Sequence, residues 1–282
     1  MNDPVYISSS SILARDVAEA ARLLSERVKN IELSGGGRHD AGLLEKLALL
    51  RRAKGINFMV HSYFPPPAAP FILNFADTGE KTRAFVNESM RFVEGLGCPY
   101  YSIHAGFRKE FTLFGELLYE NGGKKRYDVK GIGDNVRWFE ANYPGKKLAV
   151  ENLYPNNNNP ESCFLMHIEE ISRFMEEHGG VHLLLDLGHL QISARMFGFN
   201  FIDALSFLFG RYGDRIPEMH LSENNLMKDG HLLVNEDSLQ YALVKEYSGI
   251  IREGGINLTI EARNAGVEEL VKCKDLINEA IG

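Results

Sequence analysis

The chain has 282 residues, of which 44% are hydrophobic and 24% are charged, a composition typical of a globular protein with a sizeable core. No apolar run reaches the roughly 18 residues that cross a bilayer, and the first residues lack the features of a secretory signal, so we expect a cytoplasmic protein without membrane contact. The net charge of −7 gives little support to a nucleic-acid partner, although it leaves a local basic groove open. Three widely spaced cysteines predict reduced thiols rather than disulfides or a thiolate metal site.

Short β-rich segments alternate with longer segments of helical periodicity along the whole chain. The first helical segment places Val17, Ala20, Ala21, Leu24 and Val28 on one face. Eight strand–helix units joined by right-handed crossovers predict an α/β protein with a single (β/α)8 TIM barrel, one domain over residues 1–282. The alternative is an open doubly wound sheet, but no G-x-G-x-x-G motif follows the first strand. The predicted strands begin at Val5, Asn30, Asn57, Tyr100, Lys147, His182, Ile216 and Asn257.

From the third predicted strand onward, every strand ends on an acidic residue or a histidine. Asp and Glu number 38 and His only 9 among the 282 residues, so chance alone hardly gives six such ends in succession. The C-terminal ends of the strands carry the active site in a TIM barrel. The pattern therefore predicts one site built from His61, His104, Glu151, Asp186, His220 and Glu261.

These six side chains together indicate a metal centre. Three carboxylates brought to one rim repel one another, whereas a divalent cation makes the same cluster favourable. Carboxylates and neutral imidazoles are ligands of zinc, manganese and cobalt, and a donor set without sulfur is typical of a catalytic site. We therefore predict a divalent metal, Zn or Mn, as the cofactor.

The same residues lie in motifs that resemble those of the xylose isomerase-like TIM-barrel superfamily, over essentially the whole chain. This superfamily contains sugar isomerases and epimerases and endonuclease IV. Each motif is weakly specific alone, but their order and spacing together are specific. They are HSYF (61–64), FILNFA (71–76), IHAG (103–106), VENLY (150–154), DLGH (186–189), MHLSEN (219–224), DGH (229–231) and TIEA (259–262).

The resemblance implies two alternative ligand sets. In the epimerase branch one metal is held by residues that match Glu151, Asp186, His220 and Glu261, while the match of His189 contacts the substrate. In the endonuclease IV branch three zinc ions use nine ligands, so the number of ions stays open between one and three. The nine matching residues are His61, His104, Glu151, Asp186, His189, His220, Asp229, His231 and Glu261.

Several segments depart from the endonuclease IV pattern. A PPPAAP insertion (65–70) follows HSYF and predicts a stiff rim suited to a small ligand. The segment Asn235–Asp237 stands where both branches carry Gly-Glu-Gly, which weakens a backbone cradle for phosphate. No Arg lies between His220 and Arg252, where several ketose epimerases place one that binds substrate. The chain therefore matches neither branch in full.

The resemblance favours an isomerase or epimerase of a sugar, sugar phosphate or related polyol. The metal would stabilise an enediolate, with Glu151 and Glu261 as acid and base and His189 at the substrate. The first alternative is a zinc-dependent phosphodiesterase acting on abasic DNA, and nucleic acid is a partner only in that case. The second alternative is a non-catalytic barrel that binds a polar ligand through ENLYPNNNNP (151–160).

Three further side chains are expected to contact the substrate: Glu32, Asn152 and Tyr63. For Glu32 two other roles remain open, support of the site from behind and an ion pair with Arg38. The sequence predicts neither the identity of the substrate nor the oligomeric state.

Overall fold

The computed structural model describes residues 3–69, 71–114, 117–120, 125–155 and 161–282. Eight parallel strands close into a barrel in which neighbours in sequence are neighbours in space, and β1 pairs with β10 to complete the circle. The predicted (β/α)8 barrel is thereby confirmed, with all eight predicted strands present. The barrel strands are β1 (Val5–Ser8), β2 (Asn30–Leu33), β3 (Asn57–His61), β4 (Tyr100–His104), β7 (Lys147–Glu151), β8 (His182–Asp186), β9 (Glu218–Leu221) and β10 (Asn257–Ile260).

Helices surround this barrel and cover its outer face. Two helices follow β8 and two follow β9, where the sequence pattern predicts one each. The helices are α1 (Val17–Leu24), α2 (Leu43–Lys54), α3 (Glu80–Leu96), α4 (Val129–Asn142), α5 (Ile168–Glu177), α6 (Leu187–Phe197), α7 (Phe201–Tyr212), α8 (Leu239–Glu246), α9 (Ser248–Gly254) and α10 (Val267–Ile281).

The first helix shows how the sequence determines these elements. Asp16 caps it by accepting a hydrogen bond from the Glu19 N–H, which satisfies one of the free N–H groups of the first turn. Four residues of the predicted face, Val17, Ala20, Ala21 and Leu24, are buried against the barrel. Val28, the fifth, is buried too, but the helix ends before it at Leu24. Burial of this face, more than intrinsic propensity, stabilises so short a helix.

The connection between β4 and α4 contains an antiparallel hairpin that the sequence pattern did not indicate. Its strands are β5 (Phe111–Phe114) and β6 (Leu117–Glu120), and they stand apart from the barrel sheet. Cys98, Cys163 and Cys273 are buried and unpaired, as predicted. Among the helices of the described ranges, none has the length and apolar character needed to cross a membrane.

Candidate metal centre

The barrel brings the six predicted strand ends together at one rim. His61, His104, Glu151 and Asp186 are the last residues of β3, β4, β7 and β8. His220 is the penultimate residue of β9, and Glu261 directly follows β10. Because the strands are parallel, all six lie at the same end of the barrel.

Glu151 lies at the centre of the first group of donors. Its Oε2 is 3.2 Å from Nε2 of His61 and 3.2 Å from Nε2 of His104, while its Oε1 is 3.1 Å from Nδ1 of His189. His61 and His104 face each other, with their Nε2 atoms 3.2 Å apart. The Nδ1 of His61 contacts Ser102 Oγ at 3.0 Å, which leaves Nε2 for the cluster. Three donor atoms thus converge on a single point.

His220 organises the second group. Its Nδ1 lies 3.4 Å from Glu261 Oε2 and 4.0 Å from Asp186 Oδ2. Its Nε2 points the other way, 2.9 Å from Glu32 Oε2 and 3.5 Å from Glu218 Oε1. A proton on Nε2, donated to Glu32, leaves the Nδ1 lone pair directed at the site, an arrangement common for metal-binding histidines.

Asp229 joins two histidines into a third group. Its Oδ2 is 2.5 Å from Nε2 of His231 and 3.7 Å from Nε2 of His189. The Nδ1 of each imidazole contacts a backbone carbonyl at 2.9 Å, of Asn152 for His189 and of Glu261 for His231. Both rings are therefore held with Nε2 available as a ligand atom.

Burial and mutual contact shift the pKa values of these groups in opposite directions. Burial raises the pKa of Asp186 to about 6. For Glu261 burial also acts upward, but His220 and then His231 outweigh it and bring the pKa to about 2. Burial likewise opposes the change in Glu151, yet the imidazoles around it hold its pKa well below the usual range. Perturbation in both directions within one cluster is characteristic of functional sites.

The donors fit a metal ion because several of them are buried without a hydrogen-bond partner. A buried polar atom left unpaired costs about 1–3 kcal/mol, and more when it is charged. Unpaired atoms in the described part of the site are both carboxylate oxygens of Glu151, Oδ2 of Asp186, Nδ1 of His220 and Oδ1 of Asp229. The donor atoms of Glu151, Asp186 and His220 all lie within 4.8 Å of one another, and so do those of His61, His104 and Glu151. A divalent cation would supply the partner that these atoms lack.

A cavity of about 690 Å³ lies against this centre. Among the donors, His61, His104, His189, Asp229, His231 and Glu261 line it, whereas Glu151, Asp186 and His220 are not among its described lining residues. Tyr63, Pro66, Pro67, Phe107 and Tyr154 supply apolar surface around it. Volume and lining are those of a small-molecule site. A second cavity, of about 770 Å³, lies at the opposite end of the barrel around Pro4 and Asn57 and includes none of these donors.

The three residues expected to touch the substrate lie in different places. Tyr63 lines the cavity, with its ring 5.3 Å from that of His104. Glu32 is completely buried and contacts His220, which fits support from behind rather than a pair with Arg38. Asn152 is also completely buried, and its carboxamide exchanges hydrogen bonds of 2.8 and 3.1 Å with the backbone of Asp186. Residues 156–160 of the asparagine-rich segment lie outside the described residues.

Sequence reasoning missed Arg263, which also lines the cavity. It follows the metal donor Glu261 by two residues, a proximity visible in the EAR tripeptide. The glycine-rich stretch 35–37 also forms part of the cavity wall.

The buried imidazole of His61 gives a testable pH dependence. Burial lowers the pKa of His61 from 6.5 to about 3, so the metal-free protein folds with a neutral ring while the unfolded chain binds a proton below pH 6.5. The free energy of unfolding is therefore highest above pH 6.5 with respect to this group, and it falls as the pH falls toward 3. We expect His61→Gln to reduce the loss of unfolding free energy between about pH 7 and pH 5 by up to about 2 kcal/mol, measured by urea denaturation with a chelator. His167→Gln, on the surface, is the control, and equal losses in wild type and His61→Gln would contradict a neutral buried ring.

Fold and donor arrangement together define a TIM barrel with a candidate metal centre at the C-terminal ends of its strands. A family model for the xylose isomerase-like TIM barrel matches residues 31–267, and the chain belongs to this family. No curated protein matches the chain.

Solved structures share the fold over nearly the full length. One is a D-tagatose 3-epimerase-like protein, with 21% identity, a TM-score of 0.66, and coverage of 98% of this chain and 96% of that chain. Another is a 3-keto-D-glucoside 4-epimerase from E. coli, with 13% identity, a TM-score of 0.65 and 99% of both chains covered. A third is an AP endonuclease of family 2 from Brucella melitensis, with 16% identity, a TM-score of 0.67, and coverage of 95% of this chain and 96% of that chain. At these identities the likeness shows a common fold.

Proposed function

We propose that the protein, acting as a single domain, is a divalent-metal-dependent isomerase or epimerase of a sugar, sugar phosphate or related polyol. The observation that carries this proposal is the cavity of about 690 Å³, which six of the donors line, with Glu261 as the one member of the central group among them. A small ligand in this cavity would lie beside the metal donors. The sugar epimerases among the solved structures of the same fold give it further support.

Glu151, Asp186, His220 and Glu261 would hold the central metal ion, Zn or Mn. When bound, such an ion polarises oxygen atoms of the substrate and stabilises negative charge beside the reacting carbon. Asn152 holds the backbone of Asp186 in place, and Glu32 holds His220, so two of the four ligands are fixed by neighbours that do not line the cavity.

Glu261 and His189 are the best-placed groups for proton transfer. Both line the cavity, and the low pKa of Glu261 keeps it ionised and able to accept a proton. His189 is held by the Asn152 carbonyl through Nδ1, which leaves Nε2 to exchange a proton with the ligand. Glu151, the second acid/base expected from the resemblance, is 1% exposed and surrounded by imidazoles, so we assign it to the metal.

Solvent proton exchange tests this function directly. Ketoses and ketose phosphates incubated with zinc- or manganese-loaded protein in deuterated water are expected to incorporate deuterium at the carbon next to the carbonyl. Absence of exchange across the panel, with metal bound, would contradict the proposal.

A second candidate is an endonuclease IV-like phosphodiesterase with three metal ions. One observation favours it: Asp229, His231, His61 and His104, which a one-metal isomerase does not require as ligands, are assembled into two further donor groups. Two-metal and three-metal sites of this kind stabilise the charge of a phosphoryl transition state. A nicking assay on an abasic duplex decides the matter, because cleavage that depends on zinc would establish this function and no cleavage would exclude it.

Glu32 provides a prediction that is independent of the substrate. Glu32→Gln is expected to weaken metal binding by about 10- to 100-fold, since the amide can still accept a hydrogen bond from Nε2 of His220 but lacks the negative charge that makes the ring a stronger ligand. Competition with a coloured chelator measures the affinity. Glu236→Gln is the control, because Glu236 is exposed and lies outside the described cavity lining. Equal affinities in wild type and Glu32→Gln would remove Glu32 from the metal site.

A further inference from the structure

One stretch of the cavity wall carries none of the nine metal donors. It is formed by Ser10, Ser34, Gly35–Gly37 and Arg263, which lie on the loops after β1, β2 and β10. These loops are adjacent, because the Ser34 N–H donates to Ser9 Oγ at 3.0 Å and the Ala265 N–H donates to Ser11 O at 3.2 Å. They form one continuous surface, which we call the β1–β2–β10 wall.

Arg263 gives this wall its charge. Among the described lining residues it is the one Lys or Arg, and its guanidinium has no hydrogen bond or ion pair with any described residue. Its backbone is fixed, since its N–H donates to His231 O at 2.8 Å. The carboxylates of Glu261 and Asp229, which also line the cavity, are engaged by histidines. Arg263 is exposed and lines the cavity, so its guanidinium is a cation at the edge of the space that the ligand would fill.

The glycine loop supplies further donors on the same wall. The N–H groups of Gly35, Gly36 and Gly37 have no acceptor within the described residues. Gly36 and Gly37 have φ values of 113° and 79°. A Cβ at Gly36 would meet nothing within 4 Å, so the backbone is open at that residue, whereas Gly35 and Gly37 pack closely against Tyr63 and Asp16. Successive free N–H groups in such a loop bind anions, and Ser10 adds a hydroxyl.

We propose that the β1–β2–β10 wall binds an anionic group of the substrate, a phosphate or a carboxylate. This rests on the proposed function, because it takes the ligand to be a small polyol. An arginine fork and backbone N–H groups are the donors that match both anions. The loops after the last strands are also a frequent position for phosphate in TIM barrels. The substrate class is thereby narrowed to sugar phosphates and sugar acids.

Calorimetric titration of the zinc-loaded protein with inorganic phosphate and with acetate tests this site. Arg263→Gln is expected to weaken binding of the preferred anion at least about tenfold, since it removes a charge-assisted contact. Ser10→Ala is expected to weaken it by a smaller factor. Arg211→Gln is the matched control, because Arg211 is exposed and pairs with Glu176 outside the cavity. Stronger binding of phosphate or of acetate identifies the anion, and unchanged affinity in Arg263→Gln would overturn the proposal.

This result is separable from that of the exchange assay. Anion binding that depends on Arg263 supports the proposed anion site on the β1–β2–β10 wall, even if no sugar exchanges a proton with solvent. Proton exchange into a sugar, together with anion binding that does not depend on Arg263, would refute the proposed anion site and leave the isomerase function intact. Binding of an abasic duplex that depends on Arg263 and exceeds that of phosphate would overturn the assignment to a small molecule.

Discussion

Glu261→Gln is expected to lower the rate of metal-dependent proton exchange by roughly 10²- to 10⁴-fold, the contribution usual for a positioned acid or base. The amide keeps the shape of the side chain and one oxygen for the metal, but it cannot accept a proton. Deuterium incorporation into the active ketose, followed by NMR, measures the rate.

The control for this substitution is Glu236→Gln, at an exposed position outside the described cavity lining. Its rate is expected to equal that of wild type. A Glu261→Gln protein that retains both its metal and its exchange rate would show that another group carries the proton.

Removal of the metal is expected to lower the melting temperature by about 5–10 °C. An ion at about 100 times its Kd stabilises the fold by about 2.7 kcal/mol, and each kcal/mol corresponds to about 2–4 °C in a chain of roughly this size. The physical reason lies in the buried donors, since the carboxylates of Glu151, Asp186 and Glu261 repel one another without a cation. Thermal denaturation with zinc and with a chelator measures the difference.

Asp186→Asn is the matched variant for the melting experiment. It preserves the volume and the backbone contacts of Asp186 but removes one charged ligand, so added zinc is expected to raise its melting temperature much less. An equal rise in both proteins would place the stabilising metal elsewhere.

The barrel could be predicted because its signals are local. Each strand is a short apolar run, and each helix repeats its apolar residues at helical spacing, as in Val17–Leu24. The six donors could be predicted for a related reason, because closure of parallel strands carries every strand end to the same rim. Correct assignment of the strands was therefore enough to predict that the six donors lie together.

The direction in which each side chain points could not be predicted from the sequence in the same way. Glu32 and Asn152 stand near strand ends like the donors, yet their side chains contact His220 and the backbone of Asp186 instead of joining the donor groups. Arg263 was not predicted to lie at the cavity but does line it. Its loop has no periodic pattern in the sequence, and its backbone is held there by the hydrogen bond to His231. The β5–β6 hairpin was not predicted either, because it lies between β4 and α4, where the repeating pattern leads from a strand directly to a helix.

The two candidate reactions share the ligands Glu151, Asp186, His220 and Glu261 and differ in the use of the outer donors. His61 and His104 contact Glu151 of the shared centre. Asp229 lies 3.7 Å from His189 and contacts His231. The number of ions bound therefore distinguishes the reactions better than the fold does.

The most direct test of the account is an anomalous-scattering map of crystals grown with zinc or manganese, together with metal analysis of the protein purified without chelators. The account predicts at least one ion, within coordination distance of Glu151, Asp186, His220 and Glu261, and peaks at the two outer groups as well if three ions bind. Less than about half an equivalent of metal, no peak at these donors and no change in melting temperature on addition of metal would contradict it.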